Sequence, residues 1–378
     1  FVGGLVGGSH ASGVIENSYA TGDIYAESVA QTNFVGGLVG FLWDSSITNS
    51  YASGQITGNG LLGGLVGSDY EGLGTLTNSY WDKTLNSDPS LDNGYGTGKT
   101  TAELMQQSAY ASWDFGGTWW MIEGETRPFL RMEHSTKITN SHQLQLMAMN
   151  RTADYTLAND IDMDELTNTS GMWNINRGFV PVGNNKVLFT GSLDGQGHVI
   201  SDLYINRPTE GNVGLFGYTY DATIMNVNLE GGKVSGNDRV GGLAGSSDLG
   251  TVNLSSYSGS VTGNGDYVGG LVGRNSECSI NMSYATGEVA GIGKYVGGLV
   301  GYVQGSSISD SYATGNITGT GDYVGGLVGY SYACPINNSY ATGDASGKSN
   351  YVGGLVGRSL ALTPINNSYA TGDVSGIG

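Results

Sequence analysis

A phrase of apolar residues and glycines, V-G-G-L-V-G, returns along the chain at nearly constant distance. It stands at 2–7, 35–40, 268–273, 296–301, 324–329 and 352–357, at 240–245 with Ala244 replacing the second valine, and in weaker form at 62–67 and 213–217. The glycine before the leucine marks the period: Gly214, Gly242, Gly270, Gly298, Gly326 and Gly354 are each 28 residues apart, whereas Gly4, Gly37 and Gly64 are 33 and 27 apart, so the first block takes insertions at its turns. Each phrase is followed by a segment of the form I-x-N-S-Y-A-T-G and then by a polar V/I-T/S-G stretch. All three segments are short and glycine-rich, and each interior glycine costs a helix about 1 kcal/mol relative to alanine. They are predicted as strands. Alternation along 308–314 puts Ile308, Asp310, Tyr312 and Thr314 on one face and Ser309, Ser311 and Ala313 on the other.

Three strands and three turns in 28 residues close one coil of a β-solenoid, with each strand pairing in parallel with its copy one coil away at about 4.8 Å. Like residues then lie over like. A tyrosine ladder is predicted at Tyr257, Tyr284, Tyr312, Tyr340 and Tyr369, beside an isoleucine column at Ile280, Ile308, Ile336 and Ile365 and columns of Asn and Ser bonded along the axis. A propeller blade needs about 40 residues for its four strands, so the repeat is too short for one. The predicted class is all-β, a parallel β-solenoid of three-strand coils with a small aromatic-rich insertion.

The repeat covers 1–85 and 213–378. Between them, 86–135 gathers Trp113, Phe115, Trp119, Trp120 and Phe129 and reads as an insertion packing its own small core. Residues 136–212 read as a cap-like helix and divergent entry coils. Short helices are predicted at 101–107 and 141–149, where cap residues precede good helix formers. A helix near 141 would cover an open coil edge, which otherwise invites uncontrolled pairing. Trp113, Trp119 and Trp120 are also the candidate ligand surface, because aromatic faces stack on sugars, although core packing is the simpler use of them. Joining Gly378 to Phe1 continues the coil spacing, so the ends are expected to be in register, with copies stacking head to tail or the segment lying within a longer array.

Composition narrows the function. Glycine supplies 66 of 378 residues and charged residues only 13%. Thirty-three acidic against 15 basic residues give a net charge of −18, which argues against nucleic acid, since phosphate contacts depend on Lys and Arg. No stretch approaches the roughly 18 apolar residues of a membrane-spanning helix.

V-G-G-L-V-G followed by N-S-Y-A-T-G resembles the GLUG motif of large bacterial surface proteins, including filamentous-haemagglutinin-like exoproteins and non-catalytic regions of some immunoglobulin A peptidases. The resemblance covers 1–85 and 213–378. It implies a right-handed parallel β-solenoid on a secreted adhesin at the cell surface, with a host surface, neighbouring cell or glycan as partner, and it identifies no binding residue.

Candidate chemistry is sparse. His10, His134, His142 and His198 are dispersed and form no H-E-x-x-H, so hydrolytic zinc lacks its ligands. No G-x-S-x-G elbow is present. Cys278 and Cys334 fall at one coil position two coils apart, roughly 10 Å at about 4.8 Å per coil, beyond disulfide reach, and are expected to be unbonded. Asp160, Asp162 and Asp164 resemble the start of a calcium loop without its glycine and closing glutamate, leaving calcium as a weak candidate and no other cofactor. The recurrent acids Asp344 and Asp373 hold repeat positions, so no catalytic residue is expected. The alternatives to a noncatalytic structural or adhesive segment are a polysaccharide-acting β-helix enzyme, which would show one acid-lined groove, and an accessory region of a secreted peptidase.

Overall fold

The computed structural model describes residues 1–27, 33–348, 350–361 and 363–377; Gly378, on which the expected register of the ends depends, lies outside them. The chain divides into two compact units, 1–133 with 165–175 and 134–164 with 176–378. Both are stacks of parallel coils. Among the described residues the α-helices are Thr101–Leu104 and Ser141–Leu146.

One coil of the larger unit illustrates the build. It runs through Val296–Gly297, Val300–Gln304, Ile308–Ser309, Tyr312–Ala313 and Ile317–Gly319, each paired in parallel with its copy 28 residues on: Val296 with Val324, Val300 with Val328, Ile308 with Ile336, Tyr312 with Tyr340 and Ile317 with Ala345. The predicted three strands are thus five, because two of the three segments turn a corner. V-G-G-L-V-G bends at its second glycine. There successive coils approach so closely that a Cβ on Gly298 would sit 2.1 Å from the Gly326 carbonyl oxygen, which excludes every other residue.

The second corner lies inside I-x-N-S-Y. Met282, Asp310, Asn338 and Asn367 adopt left-handed backbone at φ 45, 51, 50 and 48°. This resets the alternation. Ile308 is buried while Tyr312, four residues on, faces outward and is half-buried, so the even alternation predicted across 308–314 fails at Asp310. Ser311, fully buried, follows the corner. Its hydroxyl donates to Ser309 O at 2.7 Å and accepts from Ser283 N at 3.1 Å, while its own N–H donates to Ser339 Oγ at 3.2 Å. A serine column thereby satisfies backbone donors that a bent strand leaves without ladder partners. Inside the coils, Val296, Leu299, Val300, Ile308 and their copies in the two adjacent coils are fully buried, each contributing about 1.5–3 kcal/mol of apolar burial. Stacked layers of them take the place of a globular core.

Asn140 caps the helix Ser141–Leu146, accepting from Gln143 N. Leu144, Leu146 and Met147 are fully buried, and the Gln145 amide exchanges two bonds with the Val180 backbone, both 3.0 Å. Cys278 and Cys334 are free and buried. Ser247 Oγ donates to Cys278 Sγ at 3.2 Å, and burial pushes the two thiols up to about 11 and about 12.

In the smaller unit, coils pair Val2 and Leu62 with Val35, Ile15 and Leu76 with Ile47, and Tyr19 and Tyr80 with Tyr51. The 86–133 segment does not pack a core of its own. After Thr97–Lys99 pairs with Tyr80–Asp82, Leu104, Tyr110, Trp113 and Trp119 close over Tyr51 and Tyr80 of the coils. The helix Thr101–Leu104 begins with a reciprocal capping box between Thr100 and Glu103. Arg127 pairs with Asp82 at 2.6 Å, both side chains fully buried, and also donates to Gly171 O and Thr169 O. Removing two charges from water is costly unless they are paired; here the pairing and the two carbonyl acceptors offset that cost, although the buried Arg127 Nε meets no acceptor.

Candidate functional site: the aromatic surfaces

The tyrosines of the larger unit form two columns. In the first, Tyr284, Tyr312, Tyr340 and Tyr369 stack with ring centroids 4.7, 4.9 and 5.1 Å apart and planes within 4°. Tyr257 is not a member. It lies 27 rather than 28 residues before Tyr284, pairs with Ala285, and leaves Ser256 under Tyr284. Its ring turns inward, fully buried, into space left by Gly242, where a Cβ would come within 2.2 Å of it. Trp81 does the same over Gly64, paired with Ala52.

The second column was not singled out from the sequence, although a tyrosine precedes each later V-G-G-L-V-G. Tyr267, Tyr295, Tyr323 and Tyr351 have φ of 67, 65, 68 and 63° and stack at 5.0, 5.1 and 5.2 Å. Left-handed backbone is unfavourable for a bulky side chain, so ring stacking opposes local strain in each coil. Tyr302 and Tyr330 brace this column edge-on, at 5.5 Å from Tyr295 and 5.3 Å from Tyr323. The Arg358 guanidinium lies 4.9 Å from the Tyr351 centroid. Burial first, then neighbouring phenols, holds Tyr295, Tyr302 and Tyr312 above the ordinary phenol range.

The corresponding column of the smaller unit is covered. Tyr19 and Tyr51 stack at 5.2 Å, but Tyr51 is fully buried and donates to Pro128 O at 2.9 Å, and Tyr19 donates to Glu133 at 2.9 Å. The covering residues include the proposed ligand surface. Trp119 is fully buried and Trp113 is 7% exposed, with its Nε1 donating to Asn78 O at 2.9 Å; Trp120 is half-buried beside Phe129. Trp113 and Trp119 present no open face to a sugar, because the coil tyrosines Tyr51 and Tyr80 form their packing partner.

The most exposed tryptophan is instead Trp43, at 44%. With Ala11, Asp44, Glu71 and Leu73 it lines a surface depression of about 320 Å³. Tyr70 meets it edge-on at 5.7 Å and His10 at 6.1 Å. Trp43 follows a repeat phrase at a turn position, a signal visible in the sequence but obscured by the greater density of aromatics in the insertion.

The candidate calcium aspartates Asp160 and Asp162 accept hydrogen bonds from nearby backbone. Asp160 accepts from Val199 N at 3.0 Å and lies 3.2 Å from His198 Nδ1, contacts that hold its carboxyl below the usual range. Asp162 accepts from Asp164 N at 2.8 Å. Among the described residues no three His, Cys, Asp or Glu side chains gather in a way that could hold a metal ion. Asp344 likewise accepts from Asp373 N of the next coil at 2.8 Å, so this recurrent acid is a coil-to-coil acceptor. Among the described residues no helix is long and apolar enough to cross a membrane.

The model of the GLUG motif matches residues 2–25, 35–57, 264–290, 292–318, 320–346 and 348–375. The chain is similar to halomucin of Haloquadratum walsbyi, 41% identical over 116 residues, which is 30% of this chain and 1% of halomucin. It is also similar to a protein assigned as a Gly-rich membrane protein of Evansella cellulosilytica, 36% identical over 120 residues, 30% of this chain and 13% of that protein. The alignments therefore span only a small part of either relative. Among solved structures, a protein assigned as an immunoglobulin A1 protease from Bacteroides ovatus superposes with a TM-score of 0.44 at 20% identity, over 63% of this chain and 83% of that one. A second, an IgA1 protease, gives a TM-score of 0.39 at 17% identity, over 66% of this chain and 21% of that one. Six stretches of this sequence, in both units, therefore carry the GLUG motif.

Proposed function

We propose that the chain is a noncatalytic structural and adhesive segment of a large extracellular or cell-surface protein, with the Trp43 depression as its contact point for a glycan. The observation that carries this is the use of the repeated polar side chains: the Ser311 column and Asp344 bond the coil next to them rather than converging on a reacting centre. The names of the halomucin and membrane-protein relatives support a surface setting. Trp43 offers an open aromatic face with Asp44 and Glu71 beside it as hydrogen-bond acceptors, the combination that recognises sugar C–H faces and hydroxyls. Binding to an array of surface glycans tests it. Trp43→Ala is expected to weaken the bound class at least tenfold, about 1.4 kcal/mol, while Trp120→Ala leaves it unchanged; equal binding by wild type and Trp43→Ala overturns the assignment.

One observation favours a second reading, a polysaccharide-acting enzyme: two carboxylates line the same depression, and paired acids are what glycoside cleavage requires. Release of reducing ends that is abolished by Glu71→Gln would establish it. Binding without release supports the adhesive reading.

A further inference from the structure

The two units present the same tyrosine column in opposite states. Under the insertion Tyr51 is fully buried and Tyr19 half-buried, and both hydroxyls are bonded to protein acceptors. The Tyr284, Tyr312, Tyr340 and Tyr369 column carries no such cover: the first three are half-buried and Tyr369 is 54% exposed. Among the described residues none of their hydroxyls meets a protein hydrogen-bond partner. Four phenols therefore stand open to solvent, held in register by strand pairing, with centroids 4.7–5.1 Å apart.

We infer that this column is a site of oxidative tyrosine–tyrosine cross-linking, in which neighbouring coils become joined by dityrosine when hydrogen peroxide acts through a haem peroxidase. Each of two phenols loses one electron and its hydroxyl proton to the oxidised peroxidase. The resulting phenoxyl radicals form one carbon–carbon bond between ring positions ortho to oxygen, and the two ring hydrogens displaced there move to the oxygens as the rings regain aromaticity. Two phenols and one peroxide give one dityrosine and two waters. Strand pairing holds the partners together before either radical forms, so coupling is intramolecular and fast relative to encounter between molecules. The free thiols that would compete for a radical, Cys278 and Cys334, are buried. The Tyr267 to Tyr351 column is stacked as closely, but Tyr302 and Tyr330 are wedged against it and resist the ring rotation that bond formation needs. The product would rivet coil to coil along the tyrosine face, independently of what Trp43 binds.

The test treats the full chain with horseradish peroxidase and limiting peroxide, then maps peptides by tandem mass spectrometry. The expected result is Tyr284–Tyr312, Tyr312–Tyr340 and Tyr340–Tyr369 links, each with the loss of two hydrogens, formed in monomeric protein at a yield independent of protein concentration, and at least tenfold less Tyr19–Tyr51. Tyr312→Phe keeps a ring in the stack, so folding is retained; it should abolish every link to Tyr284 and leave Tyr340–Tyr369 as the remaining in-register pair. Links confined to other tyrosines, a concentration-dependent yield, or equal coupling at Tyr19–Tyr51 would overturn the inference.

Discussion

At Gly298 a single methyl group decides whether two coils can approach. The added Cβ of Gly298→Ala would meet the Gly326 carbonyl oxygen at 2.1 Å and the Ala313 Cβ at 2.8 Å. Both are fixed by strand pairing, so the clash cannot be absorbed by a rotamer change. The substitution is expected to cost about 3 kcal/mol or more, read as a fall in urea midpoint. Ser311→Ala acts differently, since nothing collides. It leaves the Ser283 N–H without its acceptor in a buried position, at a cost of about 1–3 kcal/mol, and hydrogen exchange at the Ser283 amide should accelerate accordingly. Met282 sits in the left-handed corner at φ 45° and is 44% exposed. Met282→Gly removes that strain with little packing lost and is expected to raise stability by about 0.5–1 kcal/mol, measured by the same urea series.

The five-strand coil shows how far alternation can be trusted. The spacing of Ile308, Ile336 and Ile365 correctly placed an isoleucine column, because those residues share one strand and one face. It failed for Tyr312, since Asp310 turns the backbone left-handed and shifts the phase by one residue. The Tyr257 misreading was legible: N-L-S-S-Y-S-G sets the tyrosine one place later than N-M-S-Y-A-T-G, and one place in a strand exchanges inside for outside. That Trp113 and Trp119 turn inward while Trp43 stays exposed was obscured, because aromatic density in 113–129 measures hydrophobicity without telling whether a partner surface lies beneath it. Trp113 and Trp119 found one in Tyr51 and Tyr80.

On the scale of each unit, buried neutral thiols contribute to the larger one and the buried Arg127–Asp82 pair to the smaller. The Cys278 and Cys334 thiols, ordinarily near 9, are raised to about 11 and about 12. An unfolded chain releases those protons near pH 9 while the folded one retains them. Their contribution is therefore complete below pH 9 and is lost as pH rises toward the folded values. The urea midpoint should fall above about pH 9, less steeply in the Cys278→Ala, Cys334→Ala double variant. Arg127→Ala would strand Asp82, fully buried, at an expected cost of about 3–5 kcal/mol; hydrogen exchange across 1–133 should rise.

The 28-residue spacing determined the parallel stack, because a coil can repeat its backbone bonds only if each segment meets its own copy. The same spacing identified the Ser and Ile columns, both of them consequences of like over like. What the repeat could not decide was which aromatic faces remain open. That depended on 86–133 folding back over one tyrosine column while the other stayed bare, a long-range packing choice between segments that share no sequence pattern. The bond that Asp160 accepts from Val199 N is of the same kind, since only the assembled coils bring that donor within reach.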